Sequence, residues 1–190
     1  AFVHLQVHSE FSVLKSSARL DIILAAAPAE NAPAVALTDH GAMFGILEIQ
    51  TRGKDMNKAR KEKGLPPVKT IYGCHVYVDS PSASVKDPTT YERLTLLVEN
   101  EKGYYNLLRI VSYRYEESDR WAEIPSVPLD VVNQHKEGLI AIAGDYFSRY
   151  GQNVTSGREA QAREYMDNLD KIFDRDHLYL SVCDNGIQQQ

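Results

Sequence analysis

The chain has 190 residues, 43% hydrophobic and 25% charged, with 21 Lys and Arg against 26 Asp and Glu for a net charge of −5. A chain of this size buries about 70% of its unfolded surface, and it contains no apolar run near the ~18 residues a membrane helix requires. The acidic balance excludes a domain that holds DNA by charge neutralisation alone, and the absence of a leader pattern, with Cys74 and Cys183 as the only cysteines, points to a reducing cytoplasm.

Phe2 to His8 alternates, with Val3, Leu5 and Val7 on one face and His4, Gln6 and His8 on the other, which predicts a strand. Arg19 to Ala27 reads as a short helix stopped near Pro28, and Ala34 to Leu37 as a strand covered on both sides that delivers Asp39 and His40 to its C-terminal end. A helix from about Met43, with Phe44, Ile46 and Leu47 inward, runs through the basic stretch Arg52 to Lys63 until Gly64 and Pro66-Pro67 stop it. The charges of that stretch read as a solvated face rather than a phosphate contact.

Thr70 to Val78 and Arg93 to Val98 are further strands, separated by a loop from Ser80 to Thr90. Tyr104, Leu107, Leu108, Val111 and Tyr115 recur at helical spacing, and Glu116 to Pro128 carries turn formers without a period. Gly138 to Ala143 is a buried-strand candidate. Ser156 with Glu159 forms a capping box ahead of a helix facing inward through Ala162, Tyr165, Met166, Leu169, Ile172 and Phe173, and His177 to Val182 closes the chain as a strand. Six strands alternating with helices predict an α/β fold, a largely parallel sheet or a barrel, in a single domain over 1–190. A closed barrel generally needs about seven or eight strands. With six, and with a start inside a strand and an end soon after one, the chain is expected to be a piece of something longer.

Residues able to bind metals fall at the ends or on one face of several strands: His4, Gln6 and His8, then Asp39 and His40, then His75. Loops at the C-terminal ends of barrel strands collect functional residues in this way. For His4 or His75 alone a hydrogen-bonded core histidine is the simpler reading, whereas Asp39-His40 after a buried strand points equally to function and to structure.

The segments FVHLQVHSEFSVL, PAVALTDHGAMFGILE, IYGCHVYVD, RLTLLVENEKGYYNLLRIVS and EGLIAIAGD resemble, in order and spacing, the opening of the bacterial DNA polymerase III alpha subunit family. The resemblance implies a PHP-type distorted (β/α) barrel, incomplete here, placed ahead of the polymerase palm. In metal-competent relatives this domain holds a small cluster of divalent ions, usually zinc, and removes nucleotides from a DNA 3′ end. A free-standing phosphatase of the histidinol-phosphate type shares the fold, but RLTLLVENEKGYYNLLRIVS is closer to the polymerase version.

Against the family pattern, His8, Asp39 and His40 are retained ligands, and His75 and Asp145 are possible ligands standing where the family has Glu and Cys. Gln6, Lys15 and Arg93 replace an imidazole, a carboxylate and a second imidazole, and the family's final Asp-x-His would lie beyond residue 190. An Arg offers no lone pair, and a charged Lys is likewise only a donor. A cation about 4 Å from a divalent ion, at an effective dielectric of about 20, costs roughly 8 kcal/mol. The expectation is therefore a degenerate metal site in which Lys15 and Arg93 pair with Asp39 and Asp145, no confident catalytic residue, and no bound cofactor. That makes the domain an inactive scaffold partnering the remaining polymerase domains and the proofreading exonuclease subunit, with DNA reached through the assembly and no membrane. The alternative is a residual metal-dependent 3′-5′ exonuclease or phosphoesterase on His8, Asp39, His40, His75 and Asp145.

Overall fold

A computed structural model describes residues 2–79, 90–116 and 126–182. Nearly all of the loop read from Ser80 to Thr90, most of the segment read from Glu116 to Pro128, and Cys183 fall outside these residues. The chain divides into two compact units, Ala1–His75 and Val76–Gln190. Among the described residues no helix is long and apolar enough to cross a membrane.

In the first unit the order is α1 (Leu20–Ala29), β1 (Ala34–His40), α2 (Ile46–Glu62) and most of β2 (Lys69–Val78). β1 and β2 are parallel, with Ala34 opposite Lys69 and His40 opposite His75. The apolar run predicted for β1 is buried along almost its whole length. Helix α1 continues through Pro28 to Ala29 and stops one residue later, where Asn31 takes a left-handed φ of 57° and the Ala32 amide donates back to the Ala27 carbonyl at 2.8 Å.

Two expectations change here. Phe2 to His8 does not form a regular strand. Ala36 N–H donates to His4 O, and Thr38 N–H to Val7 O. Three steps on one chain therefore match two on the other, and the extra residue breaks the alternation, as a bulge does. Phe44 and Leu47 are 71% and 73% exposed. The buried stripe of α2 is Ile46, Ile49 and Gly53, because positions three and seven apart share a helix face and Leu47 lies a 100° step away from Ile46. Of the basic residues of α2, Arg52, Lys54, Lys58 and Lys61 are exposed and Arg60 is half-buried, with Arg52 paired to Glu48 at 2.6 Å.

The second unit contains the end of β2, then β3 (Glu92–Val98), α3 (Glu101–Glu116), β4 (Ser126–Val127), α4 (Leu129–Gln134), β5 (Leu139–Ala143), α5 (Arg149–Thr155), α6 (Glu159–Ile172) and β6 (Leu178–Leu180). β2 pairs in parallel with β4, and β5 with β6, while β3 and β5 are antiparallel. The core includes Leu94, Leu96, Leu107, Ile110, Val132, Leu139 and Leu169. Helix α3 approaches the β5 entry so closely that a Cβ on Gly103 would stand 1.8 Å from the Gly138 carbonyl oxygen. Tyr115, one of the residues recurring at helical spacing, is exposed at the end of α3. Helices α4 and α5 were not predicted. Ser156 ends α5 instead of capping α6, whose N-cap is Arg158, so the capping box does not form; Ser148 supplies the cap of α5 by accepting from Gly151 N–H. Strands alternating with helices and mostly parallel pairing establish the expected α/β class.

Glu92 opens β3 at 4% exposure and accepts the Tyr150 N–H of α5 at 2.9 Å, tying strand to helix. Burial pushes its carboxyl up from 4.5 to about 7, partly opposed by that hydrogen bond and by Arg149. Between these values the folded chain holds a proton that the unfolded chain has released. Stability contributed by the neutral form is therefore full below pH 4.5 and lost as pH rises through about 7, by about 3 kcal/mol in all. Chemical denaturation from pH 5 to 8 should show this decline, and Glu92→Gln should flatten it.

Candidate metal centre

The first unit gathers three imidazoles. The parallel register sets His40 opposite His75 at the C-terminal end of β1, and His8 reaches both from the N-terminal segment. Ring centroids lie 4.3 Å apart for His8 and His40, 5.6 Å for His8 and His75 and 4.5 Å for His40 and His75. His8 Nδ1 lies 2.6 Å from the Thr38 carbonyl oxygen. A carbonyl only accepts, so Nδ1 carries a proton and donates, which leaves Nε2 as the nitrogen able to face a metal, as in many metal-binding histidines.

Asp39 serves a different purpose. Its Oδ1 accepts from Ser9 N–H at 2.6 Å and Ser12 Oγ–H at 2.6 Å, and its Oδ2 accepts from Ser9 Oγ–H at 2.8 Å. Ser12 Oγ in turn accepts from His40 N–H at 3.1 Å, while Ser16 Oγ–H donates to His8 O at 2.8 Å. The carboxylate thus fixes the loop that follows His8. A Cβ on Gly45 would touch both Leu37 and Asp39, which puts those two side chains on one face of β1 and turns His40 to the other. Lys15 lies on the same loop, exposed, next to Leu14, whose φ is 63°. Gln6 and His4 are exposed, and His4 is 3.5 Å from Glu30. The serines were missed because Ser is common in loops and no periodicity marks it; the Ser9, Ser12, Ser16 spacing after His8 was the available signal.

In the second unit Arg93 Nη1 donates to Asp145 Oδ2 at 3.3 Å, with side chains 10% and 19% exposed. The guanidinium carbon stands 5.5 Å from the centre of the Tyr77 ring, within reach of a cation–π contact, and Arg93 Nε is buried without a hydrogen bond. Asp145 Oδ1 also accepts from Phe147 N–H at 2.7 Å. The expected pairing of Arg93 with Asp145 is therefore present, whereas the hydrogen bonds described for Asp39 come from serines.

These residues do not fit the family's ion cluster. Among the described residues no three His, Cys, Asp or Glu side chains converge as metal ligands would, because the three rings pack against one another and Asp39 is committed to its loop. Arg93 places a permanent cation, not a lone pair, at an expected ligand position.

A family model for the PHP domain matches residues 4–185. The chain is 32% identical to the DNA polymerase III subunit alpha of Treponema pallidum over 100% of this chain and 16% of that protein. It is 29% identical to the subunit of the same name from Thermus aquaticus over 100% of this chain and 15% of that protein. The chain thus spans about one sixth of the curated relatives it matches. Among solved structures, an amidohydrolase from Chromobacterium violaceum covers 95% of this chain and 85% of its own at 13% identity and TM-score 0.44, a remote likeness.

Removing one partner from a buried ion pair strands the other. Asp145→Ala strands the more deeply buried Arg93 and should cost about 3 kcal/mol in urea unfolding, more than Arg93→Met, which strands an Asp145 that is 19% exposed and keeps the Phe147 N–H as a donor. Ser12→Ala removes a donor to Asp39 and the acceptor of His40 N–H, and should cost about 1–3 kcal/mol in the same measurement.

Proposed function

The chain belongs to the PHP-domain family, and from that premise we propose that it acts in DNA replication as the PHP domain of a bacterial DNA polymerase III alpha subunit, kept as a structural and docking domain with its hydrolytic metal site lost. The observation carrying this reading is Arg93: a buried guanidinium matched to Asp145 at 3.3 Å replaces ion-mediated bridging with a salt bridge inside the domain. Coverage of the whole chain against 16% of a polymerase subunit supports a role as one domain among several, with DNA synthesis residing in the others. Partners on this reading are those domains and the proofreading exonuclease subunit, and DNA is reached through the assembly. The acidic balance of −5 agrees with a domain that does not grip the DNA backbone itself.

One observation favours a second reading. The packed rings of His8, His40 and His75, with His8 Nδ1 donating to the Thr38 carbonyl, are the starting material for a single-ion site, and a residual metal-dependent exonuclease or phosphoesterase would use it.

The purified chain should contain well under one zinc by elemental analysis and leave a labelled DNA 3′ end intact with added zinc or manganese. Stoichiometric metal together with cleavage that Asp39→Ala abolishes would establish the second reading instead. In the full-length parent protein the exonuclease subunit should co-purify, and failure to associate would remove the docking role.

A further inference from the structure

The second unit contains a cavity of about 220 Å³ that the metal-centre residues do not touch, lined by Asp79, Glu92, Arg149, Asn153, Glu164 and Tyr165 among others. Its chemistry is graded. Glu92 and Asn153 are each 4% exposed, whereas Asp79 and Glu164 are exposed.

 The cavity thus has a buried polar end and an acidic, solvent-facing side. At the buried end the Tyr165 hydroxyl has no hydrogen-bond partner, a rare condition for a buried group. Glu92 lies near enough for its charge to raise the Tyr165 pKa further, after burial itself.

The lining carries three carboxyl groups, Asp79, Glu92 and Glu164, against one cation, Arg149, which selects for positive charge. The carboxylates do not converge as ligands of a bare metal ion, since no such group exists among the described residues. A ligand with N–H donors at both ends and a slender apolar middle matches the arrangement better. One end would meet Glu92 and the Tyr165 hydroxyl, the middle would pass Leu129, and the other end would meet the exposed carboxylates. We propose that this cavity binds a small aliphatic di- or polyammonium ion, with one ammonium donating to the Glu92 carboxylate and the Tyr165 hydroxyl. Burial leaves Glu92 half-protonated near pH 7, so binding of an ammonium should expel a proton from it.

The test is calorimetric titration of the full chain with putrescine and with spermidine, alongside magnesium chloride at matched ionic strength, and ¹H–¹⁵N spectra of the same mixtures. Saturable binding of one amine per chain is expected, with proton release at pH 7 and a shift of the Tyr150 amide, whose N–H is bonded to Glu92. Loss of one charge-assisted contact in Glu92→Gln should weaken binding about tenfold or more, and Tyr165→Phe should weaken it less. The spectra of wild-type protein keep the test open if a variant fails to fold. No saturable binding up to roughly 10 mM amine, equal binding of magnesium, or an affinity unchanged in a folded Glu92→Gln variant would overturn the proposal.

Discussion

A carboxylate taken out of water must be given donors, a counter-cation or a proton, and three described residues of this chain illustrate these remedies. Asp39 receives hydrogen bonds from Ser9 and Ser12. Asp145 receives the Arg93 guanidinium, and Glu92 retains a proton up to about pH 7 while accepting one backbone N–H. Each solution is local, and each fixes a loop or helix end to a strand: the Ser9 to Ser16 loop to β1, the segment after β5 to β3, and the start of α5 to β3.

These choices also set the chemistry that is available. A carboxylate that accepts three hydrogen bonds from hydroxyl and amide donors holds a loop well, but most of its lone pairs are engaged. A guanidinium opposite Asp145 neutralises the charge that would otherwise attract a divalent ion. The three imidazoles remain close together, yet their rings pack against each other and their neighbouring carboxylate is turned to the opposite face of β1. The result is a PHP-family chain in which Asp39 and the Arg93–Asp145 pair fix loops to strands.

Much of the framework was legible from residue patterns because burial on both faces leaves a continuous apolar run. Ala34 to Leu37 identified β1 and placed Asp39 and His40 at its end. Patterns failed where a short-range signal competed with packing. Ser156 and Glu159 have capping-box spacing, but Ser156 belongs to the end of α5. Phe44 and Leu47 are apolar, but the stripe Ile46, Ile49 and Gly53 took the inner face. The extra residue between His4 and Val7 defeated an alternation that looked regular on paper.

By itself the sequence determined the α/β class and the order of most elements, since these follow from side-chain type and period. Only the tertiary structure decided which group answers each buried charge. That choice depends on donors brought together across long stretches of chain, such as Ser12 to Asp39 and Arg93 to Asp145, whose meeting is set by strand register and loop path and leaves no mark in local composition.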